Sequence, residues 1–170
     1  MANIIKFKDK TPILDNDVFV AENATIIGDV TIGSKSSIWY SAVLRGDVNY
    51  IKIGKCVNVQ DNATIHGTPE TGPVEIGDYT TIGHNAIVHG CIIHENVLVG
   101  MGAVVLDNAI VNSNVIIGAG AVVTSGSELE SGWIYGGIPA KKIKQVDMEK
   151  IAKGIRDNAD HYEELYKEYK

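Results

Sequence analysis

The sequence predicts an all-β solenoid of stacked parallel coils, closed by one C-terminal α-helix. Three observations carry this. A large aliphatic residue recurs every six positions, a second and usually smaller inward residue follows four positions after most of these anchors, and the spacing changes at Asp147. A period of six matches neither the 3.6 of a helix nor the 2 of a strand. A fixed longer beat marks a repeat architecture, in which each coil buries its apolar face against the next.

The first anchors are Leu14, Val20, Ile26, Ile32, Ile38 and Leu44, and after a slip the beat resumes at Ile53, Val59 and Ile65. The loop GTPETGP intervenes before Ile76, Ile82 and Val88. One residue is then dropped, and the series runs through Ile93, Val99, Val105, Val111, Ile117 and Val123. Ile, Val and Leu supply 47 of the 170 residues, so an unbroken series of these types cannot arise by chance. The second inward positions include Ala24, Ala42, Val48, Ala63, Ala86, Ala103 and Ala121. Glycine often follows the anchor, as at Gly33, Gly83 and Gly100, where a residue without Cβ suits a tight corner. This beat resembles that of the hexapeptide-repeat family, which implies a parallel β-helix with three short strands per coil, and on that count the anchors define six coils.

SGWIYGGIPAKKI ends the solenoid, giving a β-helix domain over residues 1–146 and an amphipathic helix over 147–170. Asp147 suits the N-cap, and Met148, Ile151, Ile155, Ala159, Tyr162 and Tyr166 form one apolar stripe. That stripe is expected to pack on the solenoid or on a neighbouring subunit.

The formal charge of −6 argues against a nucleic-acid surface, which needs a basic stripe to neutralise phosphates. No segment has the roughly 20 apolar residues of a membrane span, and the opening residues have no signal-peptide core. The expectation is a soluble cytoplasmic protein. Cys56 and Cys91 lack a CxxC partner and are read as free thiols in a reducing compartment.

The histidines carry the chemistry. In the coils, the hexads beginning at Leu44, Ile65 and Val88 stack on one face, so the residues after these anchors, Arg45, His66 and His89, point the same way. Adjacent coils lie about 4.8 Å apart, which places His66 and His89 one above the other. His84 belongs to another face, stacked on Asp61. It could reach that pair only from a second copy, as in a cyclic trimer whose heterologous contact sets unlike faces together. Three imidazoles with an open fourth position form a catalytic zinc layout. Read from the residues alone, two explanations stand: a shared metal site, or unrelated surface histidines. His94 and His161 are expected to be incidental.

RGD at 45–47, NVQD at 58–61, and His66, His84 and His89 at their spacing resemble the γ-class carbonic anhydrases of the hexapeptide-repeat family. The resemblance implies a left-handed parallel β-helix and a homotrimer with metal sites shared between subunits. His66, His84 and His89 would hold zinc, with iron or cobalt as alternatives. Arg45, Asp47 and Asp61 would make charged contacts across the subunit boundary, although an interface salt bridge without chemical role fits Arg45 and Asp61 equally. Gln60, with Asn58 behind it, would hydrogen-bond solvent on the metal, and Tyr135 would lie near the site. The implied reaction is reversible hydration of CO2 to bicarbonate by a zinc-type metal hydroxide.

The chain departs from that family pattern at the proton shuttle. Val48 and the loop GTPETGP stand where glutamates are expected, leaving Glu70 nearby, and Gly137 replaces an asparagine near the closing tyrosine. Two other classes therefore stay open. GGIPAKK resembles the tail of hexapeptide acyltransferases, which suggests acyl-CoA or another CoA thioester as substrate. A non-catalytic trimeric metal-binding protein is the third.

Overall fold

The structure is a computed structural model that describes residues 2–169. The chain winds into a parallel β-solenoid of about seven turns, followed by one helix. Each turn presents three flat faces. The first stacks strands through Leu14, Ile32, Ile53, Ile76, Ile93, Val111 and Leu129. The second stacks those through Val20, Ile38, Val59, Ile82, Val99, Ile117 and Tyr135. The third runs from Ile26 and Leu44 through Ile65, Val88, Val105 and Val123. Within each face, anchor pairs with anchor, so the six-residue beat is the register of the solenoid.

The turn beyond the expected six is formed by Leu129 and Tyr135, which continue the registers of Val111 and Ile117. An aromatic in an anchor slot hides this turn from an aliphatic count. The strand Trp133–Gly136 then pairs antiparallel with Lys141–Gln145, which leaves a lysine-rich strand on that sheet's outer edge. Charged edge strands resist pairing with further chains.

The interior is a column of aliphatic side chains. Ile26, Ile38, Leu44, Ile65, Ile82 and Val99 have no exposed surface, and the smaller residues Ala24, Ala42, Ala63, Ala86, Ala103 and Ala121 fill the space between them. Burying each large aliphatic contributes about 1.5–3 kcal/mol. Val48 departs from its expected inward place and is 42% exposed. The strand Val43–Ile53 runs unbroken round a corner, and its register shifts so that Val30 pairs with Ile51. Ile51 fills the core there, and the extra residues Asp47 to Tyr50 bulge toward the surface.

The corners differ from expectation in a second way. The left-handed residue stands three positions after the anchor, as at Asn62, Asn85, Gly102, Asn108 and Gly120. Asn and Gly adopt that conformation most readily. The glycine directly after the anchor serves close approach instead. A Cβ on Gly100 would meet the Ala119 nitrogen and the Ile117 oxygen of the next coil at 2.6 Å.

The helix Met148–Lys167 is capped by Asp147, whose carboxylate accepts the backbone N–H groups of Glu149 and Lys150. Ile151, Ile155, Ala159 and Tyr166 are buried against the helix's own solenoid, while Met148 is half exposed. Tyr166 stacks on Phe19 with ring centroids 5.5 Å apart, and Tyr162 meets the edge of Trp39 at 5.4 Å. Both cysteines are free and buried. No helix among the described residues is long and apolar enough to cross a membrane.

Candidate metal centre

The register brings the histidines where the coil arithmetic places them. Arg45, His66 and His89 are consecutive partners on the third face, and the His66 and His89 ring centroids lie 5.1 Å apart. His66 Nδ1 faces His89 Nε2 at 3.1 Å. The other nitrogen of each ring is held by a carboxylate: His66 Nε2 lies 3.0 Å from Asp47 Oδ1, and His89 Nδ1 lies 3.0 Å from Asp107 Oδ1.

His84 stands on the second face and repeats the arrangement. Its Nδ1 lies 2.8 Å from Asp61 Oδ2, and the pair is partly exposed. A carboxylate on one nitrogen fixes the ring and its tautomer, leaving the opposite nitrogen as a lone-pair donor. This is the usual support of a metal-binding histidine. Among the described residues, no three His, Cys, Asp or Glu side chains gather to hold an ion within one chain.

The spacing of the two facing nitrogens would suit a tetrahedral metal completed by donors from elsewhere. Nitrogens bonded to zinc at 2.0–2.1 Å stand about 3.3 Å apart in ideal geometry, close to the 3.1 Å between His66 Nδ1 and His89 Nε2. Two neutral imidazoles with free lone pairs at that distance repel each other unless a proton or a cation lies between them.

Hydrogen bonds hold both carboxylates on this face in the ionised form. Partial burial alone would raise Asp47, but hydrogen bonds from Arg45 and His66 and the Arg45 charge hold it below the usual carboxylate range. Arg45 Nη1 donates to Asp47 Oδ2 at 2.5 Å. A hydrogen bond from the Thr68 hydroxyl, with smaller help from His89, outweighs desolvation and lowers Asp107. Both stay ionised as acceptors for imidazole N–H groups.

Gln60 and Asn58 lie on the second face beside His84. Gln60 Oε1 accepts the His84 backbone N–H at 3.1 Å, and Gln60 Nε2 donates to Asn58 Oδ1 at 3.1 Å. Both side chains are buried. Asn58 thus holds the Gln60 amide from behind. Asp47 and Asp61, expected at a subunit boundary, each hold an imidazole of their own chain. Within one chain, Tyr135 stands apart from these groups. It is buried in the core at the seventh turn, three registers from Ile82, and its hydroxyl oxygen accepts the Glu130 backbone N–H.

Asp107 and Thr68 were not foreseen from the sequence. Asp107 follows the anchor Val105 by two positions, on the face that carries His89, so coil stacking held the signal. Thr68 is the second residue of the GTPETGP loop, which is closed by the backbone pairing of Thr68 with Gly72.

Comparison with known proteins identifies the family. Residues 90–125 match the family model described as bacterial transferase hexapeptide (six repeats). The chain is 49% identical over 153 residues to a protein of Methanocaldococcus jannaschii named probable carbonic anhydrase, covering 90% of this chain and 95% of that one. It is 44% identical over 159 residues to the mitochondrial gamma carbonic anhydrase 2 of Arabidopsis thaliana, covering 91% of this chain. The match spans only 57% of the plant protein's length. A solved structure of a hexapeptide transferase family protein from Anaplasma phagocytophilum superposes with a TM-score of 0.93 at 38% identity, covering 99% of this chain and 98% of that one. The chain belongs to the γ-class carbonic anhydrase-like proteins of the hexapeptide-repeat family.

Proposed function

We propose that the protein is a trimeric, metal-dependent carbonic anhydrase that hydrates CO2 reversibly to bicarbonate, with zinc the first candidate metal and iron or cobalt as alternatives. One observation carries the reading: three imidazoles are each held by a carboxylate through one nitrogen, and two of the opposite nitrogens face each other at 3.1 Å. His66 and His89 of one chain would hold the ion together with the His84 of a neighbouring copy. A bound metal ion supplies Lewis acidity and makes hydroxide available from water near neutral pH.

The chain's own residues then do the rest. Asp47, Asp107 and Asp61 fix the rings and increase their basicity. Gln60, its oxygen occupied by the His84 N–H, has one N–H of its amide left to donate toward substrate oxygen, and Asn58 holds the amide in that pose. Arg45 places a cation beside Asp47, on the face where an anionic product would form. Proton export has no dedicated glutamate beside Val48, so external buffer is the expected acceptor.

The test combines metal analysis of anaerobically purified protein with stopped-flow CO2 hydration at varied buffer concentration. One metal per chain, with a hydration rate that rises with buffer, supports the proposal. Full metal loading with no hydration above buffer overturns the enzyme and leaves the non-catalytic metal-binding trimer.

A second reading is favoured by the groove between the helix and the second face. Its volume is about 620 Å³, its lining is mostly apolar, and it includes Gln60, His84, Gly100, Met101, Ile155 and Lys150. Such a groove suits the acyl portion of a CoA thioester. Protection of the protein by acetyl-CoA in a thermal melt, without CO2 hydration, would favour this acyltransferase reading.

A further inference from the structure

We infer that Thr81 and Asn158 are positioning residues for Gln60, so that the C-terminal helix helps orient the site. This rests on reading Gln60 as a group that faces the reacting centre. The observation is an unbroken chain of hydrogen bonds from the second face to the helix. Its first donor is the His84 backbone N–H, and Gln60 Oε1 accepts it at 3.1 Å. Gln60 Nε2 donates to Asn58 Oδ1 at 3.1 Å, and Asn58 Nδ2 donates to Thr81 Oγ1 at 2.9 Å. Asn158 Nδ2, arriving from the helix, donates to the same Thr81 oxygen at 2.9 Å.

The chain has one self-consistent polarity. A backbone N–H can only donate, so the Gln60 atom facing His84 must be its oxygen, and its nitrogen must face Asn58. The atom of Asn58 that receives it is therefore oxygen, which turns the Asn58 nitrogen toward Thr81. Thr81 closes the sequence because a hydroxyl oxygen offers two lone pairs, one for Asn58 and one for Asn158.

Burial makes the chain strict. Asn58 and Thr81 are 1% exposed and Gln60 is 6% exposed, so water cannot easily replace a lost partner. Thr81 sits in register with Asn58 one coil away, whereas Asn158 lies 77 positions later in sequence. Helix docking therefore completes the set. Without Thr81 Oγ1, the buried Asn58 Nδ2 group loses its acceptor, and the pose selected from the His84 end is no longer held in place. Gln60 then gains a second pose, with its free N–H directed away from the site.

Side-chain amide NMR of the metal-loaded protein tests this, alongside hydration kinetics and metal analysis. In Thr81→Val, which keeps the shape but removes the oxygen, the Gln60 amide resonances should move toward those of a free glutamine. Their proton exchange should accelerate at least tenfold. Asn158→Ala, at a half-buried helix position, should cause a smaller change in the same direction, and Thr81→Ser should restore the wild-type signals. Metal content should stay unchanged in all three, while kcat falls about tenfold in Thr81→Val and recovers in Thr81→Ser. Gln60 signals unmoved in both Thr81→Val and Asn158→Ala would overturn the inference, as would Thr81→Ser behaving like Thr81→Val. Should the wild-type protein hydrate no CO2, the proposed function falls, and the amide signals still decide the role of Thr81 and Asn158.

Discussion

His66 Nδ1 lies 3.1 Å from His89 Nε2 although 23 positions separate the two residues in sequence. One coil of the solenoid, including the GTPETGP excursion, spans that interval. Its parallel register returns the chain to the same face. Facing lone pairs at this distance are stable only around a shared proton or cation.

His84→Ala should abolish metal binding as fully as His66→Ala, although His84 is remote from the His66 and His89 pair within its own chain. Mixed His84→Ala and His66→Ala subunits should regain some metal sites in hybrid trimers, measured by elemental analysis after subunit exchange. Full metal loading of His84→Ala alone would rule out a site shared between chains.

Asp107→Asn removes the anionic acceptor that holds His89 Nδ1 while keeping the side chain's size. The metal affinity measured by competition with a chelator should fall about 10- to 100-fold, as for other outer carboxylate supports. The change should leave the solenoid intact, because Asp107 is partly exposed. An unchanged affinity would show that the carboxylate is not a support of the metal centre.

Glycines at neighbouring corner positions should fail for different reasons. Gly100→Ala puts a methyl group 2.6 Å from backbone atoms of the next coil and should cost about 1–3 kcal/mol by overpacking. Gly102 has open space but φ +65°, so Gly102→Ala should cost about 1–2 kcal/mol and Gly102→Asn less. Urea denaturation gives these differences directly. Equal costs for Gly102→Ala and Gly102→Asn would contradict the conformational account.

Alkaline stability should report Cys91. Burial, with a smaller contribution from the Asp107 charge, pushes its thiol up to about 12 from an unfolded value of 9.0. Between those values the unfolded chain releases a proton that the folded chain retains, so stability falls as pH rises. The full contribution is present below pH 9. The slope reaches about 1.4 kcal/mol per pH unit. Urea melts at pH 8 and pH 10.5 should show a steeper loss in the parent than in Cys91→Ala, and parallel losses would refute this assignment.

Much of the fold was legible because a solenoid repeats one local solution. Ile65, Val88 and Val105 occupy the same slot in successive coils, and a periodic aliphatic pattern reveals such slots without knowledge of long-range contacts. The histidine placement followed from the same arithmetic. Irregular places were less legible: Val48 yields its inward position to Ile51 because a bulging corner changes the register, and Tyr135 conceals a seventh turn.

The amino-acid sequence by itself determined the coil, the faces, the helix with its Asp147 cap, and the grouping of His66 with His89 apart from His84. Only the tertiary structure decided which atom of each side chain meets which partner. Periodicity assigns a residue to a face, but ring orientation depends on hydrogen bonds with groups in other coils. Asp107 with His89, and Asn158 with Thr81, are separated by 18 and 77 positions and meet only after the coils stack and the helix docks.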